Sequence, residues 1–292
     1  LWLIDELCHG DFPRRPRWLE PELPVLGIVH HLRTDELASS LRRRAVMRAE
    51  QRFLQWLDGV VCNSAFTRGR VTELAPGLPT RVATPGGDRL WTDHALPGPP
   101  TGAAERPLRI ASLGNLLPHK NVHALVEAFG LLPKAELELR IAGREDLDAA
   151  YANRVRRLVE RERSGRISIR GALADDEVRD LLSWADVLVG ASTVEGFGIV
   201  YLEAMLAGVV PVAGSRGGAA EIIRDGEDGL LVKPGSAAGI AAALQRLLRE
   251  DGLLARLSAS ARLRADSFPG WEETFAVACA WLEQRGFRAE RA

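Results

Sequence analysis

The sequence predicts an α/β protein of two domains, each built on a parallel sheet, and three observations carry that expectation. Through the second half, short apolar runs alternate with helix-period segments. Runs that are apolar throughout, rather than at every other residue, belong to strands covered by helices on both faces. A shorter series of the same kind comes first, and a stretch rich in proline and glycine separates the two. The 292 residues suffice for two hydrophobic cores.

In the first domain, residues 1–95, strands are expected at Leu1 to Ile4, Val25 to Val29, Val60 to Cys62 and Arg81 to Thr84. One long Arg-rich helix is expected from Thr34 to Leu57. The chain opens on Leu1 inside a strand pattern, so the expectation is a partial domain short of its opening strands. Residues 96–107 read as a linker, since proline denies helix and ladder hydrogen bonds and glycine is entropically loose. The second domain, residues 108–268, has strand candidates at Leu108 to Leu113, Leu137 to Ala142, Ile167 to Arg170, Val187 to Ala191, Val209 to Ala213 and Gly229 to Val232. Helix patterns lie between them at Val122 to Leu132, Leu147 to Glu162 and Asp175 to Ala185, the last opened by three acids that suit a helix N-terminus. This is a Rossmann-like pattern, whose ligands sit beyond the strand C-termini. Residues 269–292 are expected to form a C-terminal helix returning to the first domain.

Lys plus Arg number 38 against 39 Asp plus Glu, so no global charge attracts nucleic acid. No apolar run approaches the length of a membrane-spanning helix. Cys8, Cys62 and Cys279 lack any CxxC or Cys/His grouping, which argues against a disulfide framework or structural zinc. A cytoplasmic location is expected. Arg42, Arg43, Arg44, Arg48 and Arg52 crowd one stretch, which reads as a solvated basic face or as contact with the inner membrane surface.

The segment Glu195-Gly-Phe-Gly-Ile-Val-Tyr-Leu-Glu203 follows a strand and opens a helix. Gly196 and Gly198 let a ligand approach the backbone, and free N–H groups at the helix start bind phosphate. The two carboxylates can accept hydrogen bonds from sugar hydroxyls on either side of that phosphate. By spacing alone, two glutamates eight apart read as solvated surface charge with a packing glycine; the strand, loop and glycines around them favour the functional reading. Lys120 is an anion-binding group or an exposed lysine at a helix start, where the dipole disfavours it. His30, at a strand end, reaches a cleft or is a hydrogen-bonded core histidine.

The pair Glu195-x7-Glu203, with Gly-Phe-Gly between and Ala-Met-x-x-Gly after, resembles the donor-site signature of family-4 retaining glycosyltransferases. Ser112-Leu-Gly-Asn-Leu-Leu-Pro-His-Lys120-Asn is similar to that family's first loop, Gly217-Gly218-Ala-Ala-Glu221 to its later glycine loop, and Asp225 to Val232 to its next turn and strand. The resemblance implies a GT-B architecture, two facing Rossmann-like domains with the N-terminal one truncated. It also implies transfer of a sugar from a nucleoside diphosphate to an acceptor hydroxyl with retention. Glu195 would contact the transferred sugar, Glu203 the ribose diol, and Lys120 with Gly114 and Asn115 the diphosphate. Gly196, Phe197, Gly198 and Ile199 would form the donor loop, Arg170 and Gly171 the base pocket, and His30 would lie near the diphosphate and reacting sugar. Asn115 departs from the arginine common there and weakens that part of the phosphate clamp. Asn63-Ser64 and Pro85-Gly86-Gly87-Asp88 also resemble family loops, beside a plain reading as cap and turn.

No Asp-x-Asp pair stands in a matching position, so the expectation is no metal and no cofactor beyond the donor itself. The acceptor, a glycan, lipid or small molecule, is not specified. Rival readings are a sugar-nucleotide epimerase on the same fold, a phosphorylase, for which no cofactor lysine is found, and a non-catalytic nucleotide-sugar-binding or partner-binding remnant.

Overall fold

The computed structural model describes residues 1–10, 16, 23–37, 41–91, 94–97, 106–133 and 136–285, and the chain divides into two compact units. The first unit is Leu1–Gly86 with Pro269–Ala292. Its strands β1 (Trp2–Asp5), β2 (Val25–Val29), β3 (Gly59–Cys62) and β4 (Thr80–Val82) form one parallel sheet in that order. Val25, Leu26, Val60 and Cys62 are fully buried on it, beneath Phe53 and Leu54. Burial pushes the Cys62 thiol up to about 12, which makes it a packing group rather than a nucleophile.

Instead of one helix over Thr34 to Leu57 there are two, α1 (Arg33–Glu36) and α2 (Leu41–Leu54), with residues 38–40 outside the described ones. The reason is a buried polar contact. The Thr34 amide and hydroxyl donate to the Glu50 carboxylate, and all three groups are shielded from solvent. In a straight helix residues 34 and 50 would stand about 24 Å apart. Burying Glu50 with its hydrogen bonds made requires the chain to fold back, and Leu37 leaves the helix in an extended conformation. Helix α3 (Ala65–Leu74) starts where the Ser64 hydroxyl accepts from the Thr67 amide at 3.0 Å, the cap reading of that pair. Of the C-terminal segment, α11 (Trp271–Gln284) belongs to this unit: Thr274 Oγ1 donates to the Thr84 carbonyl at 2.6 Å, and the Trp281 ring lies against Gly59. Residues 286–292 lie outside the described ones.

The second unit is Gly87–Phe268. Strands β5 (Leu108–Leu113), β6 (Leu137–Ala142), β7 (Ile167–Ile169), β8 (Val187–Gly190), β9 (Val210–Gly214) and β10 (Leu230–Val232) form a parallel sheet in the order β10-β9-β8-β5-β6-β7. Helices α4 (Val122–Gly130), α5 (Ala149–Glu162) and α9 (Ala237–Arg249) supply one core, around Phe129, Leu139 and Leu244. Helices α6 (Asp175–Trp184), α7 (Ile199–Leu206), α8 (Ala219–Ile222) and α10 (Leu253–Ala265) supply the other, around Leu182, Tyr201 and Met205. Both faces are therefore covered, as the apolar strand runs require.

The expected boundary at residue 95 and the structural one differ. The chain divides at Gly86–Gly87, and the 3-10 turn Asp88–Leu90 with Trp91 belongs to the second unit. Leu90 and Trp91 are buried beside α7, and Trp91 Nε1 donates to the Glu203 carbonyl at 3.2 Å. Most of the expected linker, 98–105, lies outside the described residues.

Candidate functional site

The strand order of the second unit reverses between β5 and β8: successive strands after β5 are added on one side, and those after β8 on the other. At such a switch point the two following loops part and leave a crevice beyond the strand C-termini. Ser112 and Gly114 from the end of β5, Gly190 and Ser192 from the end of β8, and Lys120 and Glu195 line a pocket there.

Three backbone devices hold Glu195 in that crevice. Asn121 adopts a left-handed conformation (φ 50°) before α4, and its side-chain Nδ2 donates to the Ala191 carbonyl at 3.1 Å and Thr193 Oγ1 at 2.9 Å. The Thr193 amide donates to the His119 carbonyl at 2.7 Å, so the Lys120 turn and the loop after β8 are tied together. On the other side, Glu195 pairs in parallel with Gly217, and the Gly218 amide donates to the Glu195 carbonyl at 2.8 Å. A Cβ at Gly217, where φ is 98°, would stand 2.2 Å from that carbonyl oxygen. Gly217→Ala is therefore expected to cost about 3 kcal/mol from strain and overpacking, read by urea unfolding. A loss below about 1 kcal/mol would mean the glycine loop does not brace Glu195.

Lys120 Nζ lies 2.8 and 3.1 Å from the two Glu195 oxygens, and Ser192 Oγ donates to Oε1 at 2.5 Å. Burial raises the Glu195 pKa, but the Lys120 charge and the hydrogen bonds from Lys120 and Ser192 outweigh it, so the net shift is downward. The carboxylate stays ionised. The lysine that looked misplaced at a helix start has an anion beside it, supplied by its own chain.

Glu203, in α7, is 1% exposed. Burial raises its pKa to about 7, against the pull of Arg89, whose Nε and Nη2 stand 3.3 and 3.2 Å from Oε1. Arg89 Nη1 also bonds Asp175 Oδ1 at 2.6 Å. Sequence reasoning missed Arg89, 114 residues before Glu203, because it closes a segment that reads as an ordinary turn. It missed Ser192 too; its only signal is a hydroxyl three residues ahead of Glu195.

Other expected positions fall as follows. Gly198 (φ 98°) begins α7, and Ile199 is its first residue. The Gly196–Gly198 stretch packs on Gly218, where a Cβ would lie 2.3 Å from the Gly196 carbonyl. Phe197 is buried, its ring 6.3 Å from that of Phe268, so its side chain serves the core. Asn115 Oδ1 accepts from the Arg144 amide at 3.3 Å, which holds the loop after β5 to the end of β6. Gly171 (φ 70°) bonds through its carbonyl to the Gly143 amide at 2.7 Å. Arg170 lines a separate pocket with Glu177 and Asp180, not the one holding Lys120 and Glu195.

His30 belongs to the first unit. It is half exposed at the end of β2, with Nε2 3.2 Å from Asp5 Oδ2, its amide donating to Glu6 Oε2 at 2.7 Å, and its carbonyl accepting from Asn63 at 2.7 Å. Asp5, Glu6 and His30 are the described residues whose ligand atoms come close enough for a single cation, within 4.8 Å of one another. The hydrogen bonds from His30 to both acids account for that proximity. No described helix is long and apolar enough to cross a membrane.

Two units, each built on a parallel sheet covered by helices, the larger with its crevice at a switch point of strand order, belong to the GT-B class of architecture. Residues 99–264 match the family model for glycosyl transferases group 1, and the chain belongs to that family. It is 30% identical over 282 residues to a glycogen synthase of Mycobacterium tuberculosis, covering 92% of this chain and 65% of that protein. Over 204 residues it is 31% identical to the lipopolysaccharide core biosynthesis glycosyltransferase LpsE of Rhizobium meliloti, covering 69% of this chain and 57% of that one. Among solved structures, sucrose-phosphate synthase from Thermosynechococcus elongatus superposes with a TM-score of 0.79 at 23% identity, over 98% of this chain and 73% of that one. Anabaena HepE in complex with UDP and glucose gives 0.75 at 20% identity, over 90% and 71%. The chain thus spans under two thirds of the length of these two curated relatives.

Proposed function

We propose that the chain carries the donor site of a retaining, metal-independent glycosyltransferase that moves a sugar from a nucleoside diphosphate to an acceptor hydroxyl. The observation that carries this reading is the Lys120–Glu195 pair held at the sheet's switch point, with Glu203 eight residues on inside α7. As the glycosidic bond breaks, the departing diphosphate gains negative charge, and a preorganised ammonium at Lys120 stabilises it. The ionised Glu195 accepts hydroxyls of the sugar, and the α7 N-terminus offers N–H groups to phosphate. The donor motif contains no carboxylate assigned as a nucleophile. The reading is therefore front-face attack, with the leaving phosphate taking the acceptor proton. That HepE was solved with UDP and glucose makes UDP-sugars the first donors to try.

Saturation-transfer NMR of the chain with UDP-, GDP- and ADP-sugars in excess chelator tests this reading. Saturation of both ribose and sugar protons of one donor is expected, and transfer to acceptor should survive the chelator. Binding of no donor, or activity restored only by manganese or magnesium, would overturn it. Donor binding without transfer to any acceptor would favour the non-catalytic reading instead.

A further inference from the structure

We propose that Arg89 is a positioning residue for nucleotide binding: its guanidinium holds one oxygen of Glu203 and so presents the other to the ribose hydroxyls. The inference rests on the nucleotide-sugar reading above and adds to it a residue outside the donor motif.

Glu203 is almost wholly buried, and its only described side-chain partner is Arg89, which takes Oε1 through Nε and Nη2. No described residue donates to Oε2. A carboxylate oxygen with unused acceptor capacity, on a residue otherwise packed away from solvent, can take hydroxyl donors that enter the site. The third guanidinium nitrogen, Nη1, is fixed by Asp175 at 2.6 Å in the first turn of α6. Arg89 thus joins α6 to α7 with all three nitrogens engaged, and a planar fork so held sets the plane of the carboxylate it grips. Its backbone is anchored as well. Leu90 and Trp91 are buried, and the Trp91 indole bonds to the carbonyl of Glu203 itself, so the turn that carries Arg89 is tied to the residue it serves.

The charged groups facing Glu203 are Arg89 from the 3-10 turn and Asp175 from α6. Arg262 of α10 bonds instead to the carbonyls of Ala207 and Pro97. Arg89 is therefore the cation that opposes protonation of Glu203. Without it, burial and the Asp175 charge both favour the protonated acid, which presents a donor where the diol needs an acceptor.

Calorimetric titration of UDP, GDP and ADP into the unaltered chain, Arg89→Leu and Arg89→Lys, from pH 6 to 9, provides the test. For the nucleotide that binds, Arg89→Leu is expected to weaken affinity about tenfold at pH 7, the value of one charge-assisted hydrogen bond, with the deficit shrinking toward pH 9. Arg89→Lys should recover part of the loss, and the 2′,3′-dideoxy form should bind the unaltered chain and Arg89→Leu equally. A deficit that is independent of pH and equally large for the dideoxy form would mean that Arg89 only supports the fold, and would overturn the proposal. So would unchanged affinity in Arg89→Leu when the parent still discriminates against the dideoxy form. Failure of every nucleotide to bind the unaltered chain would overturn this proposal together with the reading beneath it.

Discussion

Replacing Glu195 by alanine is expected to lower sugar transfer about a hundred- to a thousandfold, the range for loss of one preorganised electrostatic contact, while the chain stays folded. The side chain is 14% exposed and meets Lys120 and Ser192, so its removal takes away the proposed acceptor for sugar hydroxyls and frees Lys120 from its fixed aim. Misplacing a charged group by about 1 Å costs on the order of a hundredfold by itself. The fold survives because the backbone bonds from Glu195 to Arg216 and Gly218 do not involve the carboxylate. The carboxylate's pKa is depressed, so its stabilising contribution is present above the unfolded value and lost as pH falls through the folded one. Parent and variant should accordingly differ by about 1 kcal/mol at pH 7 and converge in acid. Single-turnover transfer with labelled donor, alongside melts at pH 7 and below pH 4, measures both. Turnover within a few-fold of the parent would remove Glu195 from the reaction.

Glu203→Gln should act in the opposite sense on stability while weakening nucleotide binding. The folded carboxyl titrates at about 7 against an ordinary value of 4.5, so between those values the folded chain holds a proton the unfolded chain has released. Its contribution to stability is complete below about pH 4.5 and declines as pH rises through 7. Each unit is worth about 1.4 kcal/mol, which sets a ceiling near 3 kcal/mol above pH 7. Glutamine avoids the ionisation but gives Arg89 a neutral partner, leaving an expected gain of about 2 kcal/mol at pH 8 and little at pH 5. Urea unfolding at the two pH values, with nucleotide titration, reads the trade. Equal stability change at both would mean Glu203 does not titrate in this range. A functional carboxylate held at a cost to the fold is a recurring exchange of stability for activity.

The alternation of apolar runs and helix patterns in the sequence is enough to specify two parallel α/β units, because side-chain burial on both faces of a strand is written residue by residue. The spacing of Glu195 and Glu203 is legible for the same reason: strand, loop and helix start are contiguous, and the glycines between them mark close backbone approach. Other features arise from contacts between distant segments. The break between α1 and α2 brings Glu50 to Thr34, a contact between positions 16 apart that periodicity does not reveal, although Ser39 and Ser40 ahead of Leu41 are a local helix-start signal. The unit boundary at Gly86–Gly87 depends on Trp91 finding α7, while the proline-rich stretch lies further along the chain. Phe197 looks like part of a ligand loop in the sequence and is turned into the core by Phe268. Lys120 and Glu195 are 75 positions apart, as Arg89 and Glu203 are 114, and their charges say nothing of each other until the sheet brings β5 beside β8. What the sequence determined alone is the periodicity of its elements and the residue types in its loops, both local properties. Which charges meet, and therefore which carboxylate is ionised and which is held near neutrality, was decided by tertiary structure, because desolvation and Coulomb attraction depend on distance in space and not along the chain.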